Sequence, residues 1–496
     1  MNVCNLLNKN SKEIPDKATF IFRDHPVSFR ELKEIVFKLA NGLADMGIKP
    51  HDRVGIYLPN WPEYIYAYLA VFCLGATAVP LDYMLTEEEM ASCLKHCQAK
   101  AIIAKAKDNN VFKQLAGDVP TLAHVVVLDA NEGHVDFNQL VAKANPDFAA
   151  RKINEEDIAV ILYTSGTTGR PKGIMLSYRH LDAPCLATDH ILTFTPDDIF
   201  AACVPFSHIA GLMYPLLSIT FGMTIVLNER FIPLRFLQGV QQYKATLFIM
   251  VPSMYYAMLH LKEFETIDLS CVRAVVVFGA PSNPDLLRRF HQYCPHASFI
   301  NGWGLTETCG PSVVLPLGSN RIESVGRPMP WNTIKIVDEK DDEVPVGSVG
   351  EIIFKSWTVM KGYYGDEEET RRVIRDGWFY TGDLGRIDKD GYLYIVGRKK
   401  EMIKVSGELV YATEVETVLL NHPSVKEAAV IGVPDNLRGE VIKAVLALKE
   451  GQKLTAEDVR YFAKQHLAHF KVPHIVEFMD ILPKNRTGKI DKSQLK

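Results

Sequence analysis

The stretch Tyr163-Thr-Ser-Gly-Thr-Thr-Gly-Arg-Pro-Lys-Gly173 carries residue types that bind phosphate. Gly166 and Gly169 let successive backbone N–H groups converge on an anion. The hydroxyls of Thr164, Ser165, Thr167 and Thr168 add donors, and Lys172 places a positive charge beside them. The spacing is not that of a Walker loop, G-x-x-x-x-G-K-[ST]. A lone S-G-T-T-G also occurs as a surface turn after a strand; the complete string is far more specific. The apolar run Ile158-Ala-Val-Ile-Leu162 predicts a buried strand leading into it.

The elements that must position this loop alternate between strand and helix. Ser28-Phe-Arg-Glu31 is a capping box, followed by apolar residues at helical spacing as far as Gly47. Val54–Leu58 reads as a strand, Trp61–Leu74 as a helix, and Ala76–Leu81 as a strand. Thr86-Glu-Glu-Glu89 caps the next helix, and Ala101–Ala104 is the strand that follows. The alternation returns at Thr246–Val251, Pro252–Leu261 and Val272–Phe278. It implies an α/β fold with parallel, doubly wound sheets in two lobes. From about Gly326, short alternating runs such as Thr333–Val337 and Gly350–Phe354 predict a small antiparallel β subdomain. After Val396, strands at Ala428–Gly432 and Ile442–Ala447 and a capped helix over Thr455–His466 predict a small α+β domain.

A chain of 496 residues suggests two to four domains, and 47% hydrophobic with 23% charged residues is an ordinary globular balance. The net charge is −4 and no basic block stands out, which argues against nucleic acid as a partner. The nine cysteines are scattered, and Cys93 with Cys97 lacks the further ligands of a zinc site. They read as reduced thiols of a cytoplasmic protein, and the first residues lack the apolar region of a signal peptide. Two uncharged stretches, Tyr64–Leu81 and Ala201–Asn228, are interrupted by Gly75 and Pro80 and by Pro205, Gly211, Pro215 and Gly222. These breakers predict buried core instead of a membrane span. Peripheral membrane contact and a homodimer are left open.

The string at 163–173 closely resembles the nucleotide-phosphate loop of the adenylate-forming (ANL) superfamily, and further family motifs occur in order over more than 300 residues. Pro205-Phe-Ser-His-Ile-Ala-Gly211 resembles the loop whose histidine, here His208, lines the acyl pocket with Gly211. Phe278-Gly-Ala-Pro-Ser282 resembles the adenine-site wall, which implies roles for Gly279, Ala280 and Pro281. Asn301-Gly-Trp-Gly-Leu-Thr-Glu307 resembles the adenine-stacking and metal-binding motif. By resemblance, Asn301, Gly302, Trp303, Gly304, Leu305 and Thr306 face the nucleotide, and Glu307 holds Mg²⁺ with Thr168. Tyr380-Thr-Gly-Asp383 and Gly397-Arg398 supply the ribose-binding Asp383 and Arg398. Lys400-Glu-Met-Ile-Lys-Val-Ser-Gly407 resembles the hinge, at Lys400, and the turn that meets acyl group and CoA through Lys404, Ser406 and Gly407. Pro483-Lys-Asn-Arg-Thr-Gly-Lys489 ends in the family's catalytic lysine. The implied organisation is an adenylate-forming N-terminal domain over 1–396, a hinge over 397–400 and a mobile C-terminal domain over 401–496.

The chemistry of these residues agrees with the resemblance. Joining a carboxylate to AMP creates a leaving group that a thiol can displace. The first step crowds negative charge at the α-phosphorus, so cations and N–H donors are required. Lys489, Lys172, the glycine turn and Mg²⁺ could supply them, with Thr306, Glu307 and His208 beside the reacting groups. Glu307 is the one carboxylate in an otherwise apolar, glycine-rich stretch, and Asp383 suits a grip on vicinal hydroxyls. His208 lies in an apolar loop where core packing competes with a pocket role. Trp303, where relatives usually carry Tyr, offers a π-face to adenine or fills the core. The expected activity is an ATP-dependent acyl-CoA synthetase using ATP, Mg²⁺ and CoA. The apolar segment after His208 suits a medium- or long-chain fatty acid. An aryl or carnitine-like acid, transfer to a carrier-protein phosphopantetheine, a luciferase-like oxygenase and a non-catalytic nucleotide or acyl sensor remain alternatives. Leu409 and Ala412 depart from the family's E-N-[IV]-Y-P pattern and bear on the thiol-entry face.

Overall fold

The structure, a computed structural model, describes residues 1–105, 111–130, 134–164, 172–279, 284–319, 321–406, 408–435, 438–484 and 490–495. Strand and helix alternate as the apolar pattern requires, and the strands assemble into two large sheets. In the first, Ile158–Thr164, Thr77–Pro80, Arg53–Tyr57, Ala101–Lys105 and His124–Leu128 run parallel. Lys172–Ser177 and then Gly362–Tyr363 extend it antiparallel. The second has a parallel centre of Thr224–Leu227, Ile199–Ala202, Leu247–Met250, Ala274–Val277 and Ser298–Trp303. Ala18–Phe22 joins this second sheet beside Thr224–Leu227, although it comes first in the chain.

The two lobes share one continuous core. Eleven of the thirteen residues of helix Pro62–Leu74 are buried, and ten of the thirteen in helix Ile209–Phe221. Both uncharged stretches are therefore core helix and strand. No helix of the described residues is long and apolar enough to cross a membrane. Polar groups stitch the lobes where the helices meet. The Asn60 side chain donates to the Val204 carbonyl and accepts from the Phe206 N–H, and the Tyr68 hydroxyl donates to the Phe206 carbonyl at 2.7 Å. The capping boxes at Ser28/Glu31, Thr86/Glu89 and Thr455/Asp458 form as their sequences require. All nine cysteines are free and eight are buried.

The predicted β subdomain is a five-stranded sheet built from Thr333–Val337, Gly350–Lys355, Ile374–Arg375, Trp378–Ile387 and Leu393–Arg398. Not all of this region stays in that sheet, because Arg327–Pro328 and Gly362–Tyr363 return to the edges of the two large sheets. A short 3₁₀ turn, Lys399–Glu401, leads to the C-terminal sheet. There Gly439–Leu448 pairs with Val425–Asp435 on one edge, and with Ile475–Phe478 and the end of Met402–Val405 on the other. Helices Ala412–Leu420 and Ala456–His466 cover it.

Helix Ile209–Phe221 begins under the loop that carries His208. The His208 N–H donates to the Pro205 carbonyl, and a Cβ added at Gly211 would lie 2.0 Å from that carbonyl oxygen. Only glycine lets the helix start this close to the loop. Gly211→Ala is therefore expected to destabilise the fold by about 2 kcal/mol or more. An unchanged urea midpoint would show that the loop can move aside.

Candidate active site

Strand Ile158–Thr164 delivers Thr164 at its C-terminal end, and the antiparallel register places Lys172 directly across from it. Ser165, Gly166, Thr167, Thr168 and Gly169 lie outside the described residues, as do Ala280, Pro281, Gly407 and Lys489. The Lys172 ammonium sits 2.5 Å from a Glu369 oxygen and 4.9 Å from the centre of the Tyr363 ring. Tyr363 reaches this position because its strand pairs with Lys172–Ser177, with Tyr363 opposite Ile174. Its hydroxyl donates to Glu307 Oε1 at 3.1 Å. One tyrosine thus touches both Lys172 and Glu307.

Glu307 stands in a 3₁₀ turn, Thr306–Thr308, just after strand Ser298–Trp303. The turn is fixed from both sides: Met360 donates its N–H to the Glu307 carbonyl, and the Thr308 hydroxyl accepts from the Leu305 N–H. Burial raises the pKa of the Glu307 carboxyl, while the Tyr363 hydrogen bond and the charge of Arg398 oppose the shift. The glycines of the motif allow close packing. A Cβ at Gly302 would lie 2.3 Å from the Phe278 ring, and one at Gly304 would lie 2.1 Å from the Gly310 carbonyl oxygen. Gly279 adopts a left-handed φ of 89° beyond strand Ala274–Val277. Asn301 is buried, and its amide closes the loop by donating to the Ser324 carbonyl.

Asp383 and Arg398 are cross-strand partners, and Arg398 Nε lies 2.9 Å from Asp383 Oδ1. The Trp303 indole N–H donates to Asp383 Oδ2 at 2.8 Å. Trp303 is 7% exposed and packs edge-on to Phe354. Its grip on Asp383 is a contact that the sequence did not disclose. The turn before Asp383 is held by Glu351, which accepts from the Gly382 N–H at 3.2 Å and pairs with Lys399 at 2.7 Å. Lys400 follows at once. Desolvation lowers its pKa, with Arg398 and Lys172 among the charges that add to the shift.

His208 caps helix Ile209–Phe221, its Nδ1 accepting from the Ala210 N–H at 3.3 Å. It is half-buried, neither packed away nor fully open. Lys404 and Ser406 lie on the Met402–Val405 hairpin of the C-terminal sheet, where the Lys404 N–H donates to Glu440 and Ser406 takes a left-handed φ of 52°. No hydrogen bond or ion pair among the described residues joins them to Lys172 or Glu307. Lys492, three residues beyond Lys489, is held 2.8 Å from both Glu401 and Glu416. Tyr363, Glu369, Glu351 and Lys492 were missed in the sequence. The one available signal was the acidic helix start Asp366-Glu-Glu-Glu369, which reads as a capped helix and gives no hint that Glu369 turns inward.

A family model described as AMP-binding enzyme matches residues 7–364, and one described as AMP-binding enzyme C-terminal domain matches residues 414–489. This chain belongs to the adenylate-forming superfamily. Within it the chain is an acid–thiol ligase of the acyl-CoA synthetase type. It is 34% identical over 473 residues to a feruloyl-CoA synthase of Amycolatopsis sp, covering 95% of this chain and 93% of that one. It is 32% identical to a long-chain-fatty-acid–CoA ligase of Bacillus subtilis (strain 168), over 99% of this chain and 93% of the relative. Among solved structures, the anthranilate CoA ligase AuaEII in complex with anthranoyl-AMP superposes with a TM-score of 0.93 at 28% identity, covering 100% of this chain and 96% of that one. Enzymes of this type use ATP, Mg²⁺ and CoA. A divalent cation suits Glu307, a partly buried carboxylate that pairs with no lysine or arginine among the described residues. Bound there, Mg²⁺ would screen phosphate charge.

In this synthetase the Trp303 N–H and the Arg398 guanidinium together fix the Asp383 carboxylate. Trp303→Phe removes one charge-assisted hydrogen bond while keeping an aromatic ring. The expected result is a ~5- to 20-fold rise in KM for ATP with a smaller change in kcat. Discrimination against 3′-deoxy-ATP should fall in the same variant. Unchanged nucleotide discrimination would limit Trp303 to packing.

Proposed function

We propose that this acyl-CoA synthetase activates a medium- or long-chain fatty acid, with the two carboxylate clusters acting as one nucleotide site. The supporting observation is geometric: Trp303, which donates to Asp383, and Glu307, which accepts from Tyr363, stand four residues apart in one motif. The proposed metal carboxylate and the ribose grip are joined through that segment. In this reading Asp383 accepts from the ribose hydroxyls, Lys172 meets the phosphates beside the Thr164 turn, and Lys489 approaches the α-phosphate. A carboxylate oxygen of the acid attacks the α-phosphorus, and pyrophosphate leaves with the electron pair of the broken P–O bond. The CoA thiolate then attacks the acyl carbon, the C–O bond to phosphate breaks, and AMP departs. Lys400 is the pivot that would let the C-terminal domain, bearing Lys404, Ser406 and Gly407, serve the second step.

The fatty-acid assignment rests on chemistry near His208 and on kinship. Helix Ile209–Phe221 carries no charged side chain that could pair with an ammonium or a second carboxylate. The Bacillus subtilis relative that spans nearly the whole chain is a long-chain-fatty-acid–CoA ligase. The helix itself is mostly buried, so its apolar composition serves the core before it serves any ligand. An aryl acid is the second reading, favoured by the relative named for feruloyl-CoA.

Lys489→Ala separates the two half-reactions. Losing one transition-state cation is expected to slow acyl-AMP formation ~10²–10³-fold, while conversion of supplied dodecanoyl-AMP and CoA to product stays near the wild-type rate. Pyrophosphate release measured across acids of graded chain length, with and without CoA, reads the first step and the substrate together. A variant equally slow from the preformed adenylate would give Lys489 a different role.

A further inference from the structure

The short helix Glu367–Val373 starts with three acidic residues, of which Glu367 and Glu368 face solvent. Glu369 turns inward instead and is 16% exposed at its side chain. Its Oε1 receives two donors, Lys172 Nζ at 2.5 Å and Arg372 Nη2 at 2.6 Å, and its Oε2 receives Arg372 Nε at 2.5 Å. Arg372, on the same helix and 70% exposed, thus grips the carboxylate with both arms of its fork. The cluster holds two cations and one anion, so it keeps one surplus positive charge. Its Arg372 pairing, and then Lys172, lower the Glu369 carboxyl to about 2, which keeps it ionised at any working pH.

We propose that Glu369 is a positioning residue for the nucleotide site: it holds Lys172 until a phosphate oxygen replaces it, while Arg372 keeps the vacated carboxylate paired. The inference rests on the reading that Lys172 meets the phosphates. Stranding a buried carboxylate without a counter-charge is strongly unfavourable. Here no such stranding occurs, because the bidentate Arg372 contact persists when the lysine leaves. The Tyr363 ring beneath Lys172 favours a cation in either position. The lysine exchanges one oxygen partner for another over a short path, and the affinity for ATP depends on how firmly Glu369 competes.

Calorimetric titration of ATP with Mg²⁺ into the full-length enzyme tests this, using E369Q, R372M, the double variant and K172M, with thermal melts as a folding control. E369Q is expected to tighten ATP binding ~3- to 10-fold by removing the competitor. R372M is expected to loosen it by a similar factor, since Glu369 then depends on Lys172 alone. The double variant should match E369Q, because Arg372 acts through the carboxylate. A double variant weaker than E369Q by the R372M factor would mean that Arg372 merely attracts ATP from a distance, which overturns the proposal. E368Q removes the same charge one residue away and should leave binding unchanged. E369Q binding no tighter than wild type overturns the proposal as well. K172M distinguishes that failure from a failure of the underlying reading. Unchanged ATP affinity in K172M takes Lys172 out of the phosphate site altogether, whereas weakened affinity in K172M beside an unaffected E369Q removes only the role of Glu369.

Discussion

The candidate site depends on accommodating two carboxylates, Asp383 and Glu307, in buried and partly buried positions. Asp383 is 4% exposed, and a buried carboxylate persists only where donors and cations surround it. The Trp303 indole and the Arg398 guanidinium meet that need for Asp383. Among the described residues Glu307 receives the Tyr363 hydroxyl and the charge of Arg398, and burial pushes its pKa up. Asp383 is thus already paired with two donors, whereas burial pushes the Glu307 carboxyl toward its neutral form.

This constraint explains why strands from distant parts of the chain meet at one seam. The indole comes from the second lobe, Asp383 and Arg398 from adjacent strands of the β subdomain, and Tyr363 from a strand that returns to the first lobe. Lys172 belongs to the hairpin arm that pairs with that strand. Glu351 extends the network by holding the turn before Asp383 and pairing with Lys399. The turn before Asp383 and the 3₁₀ turn Lys399–Glu401 are thereby tied to one buried glutamate.

Much of this was legible in the sequence. Parallel strands announce themselves as short apolar runs, and the capping boxes formed where Ser28, Thr86 and Thr455 implied them. The motifs single out Asp383, Arg398 and Glu307, and the first two are cross-strand partners. What stayed hidden was partnership across long separations. Nothing local links Trp303 to Asp383, Lys172 to Glu369, or strand Ala18–Phe22 to a sheet assembled 200 residues later. Composition foretold that the stretch Ala201–Asn228 is core, and helix Ile209–Phe221 within it is mostly buried between two sheets. The charges around Lys492 were equally silent, because a lysine near a chain end looks solvated until Glu401 and Glu416 are found beside it.

The chemistry turns on the acid being activated through an anhydride with AMP. That is read most directly by supplying dodecanoate labelled with ¹⁸O in its carboxylate, together with ATP, Mg²⁺ and CoA, and weighing the AMP formed by mass spectrometry. Attack of the carboxylate on the α-phosphorus, followed by thiolate attack on the acyl carbon, leaves one carboxylate oxygen on the phosphate. The expected result is AMP carrying one ¹⁸O for each acyl-CoA produced. Acyl-CoA formed alongside unlabelled AMP, or alongside ADP, would contradict the acyl-adenylate route.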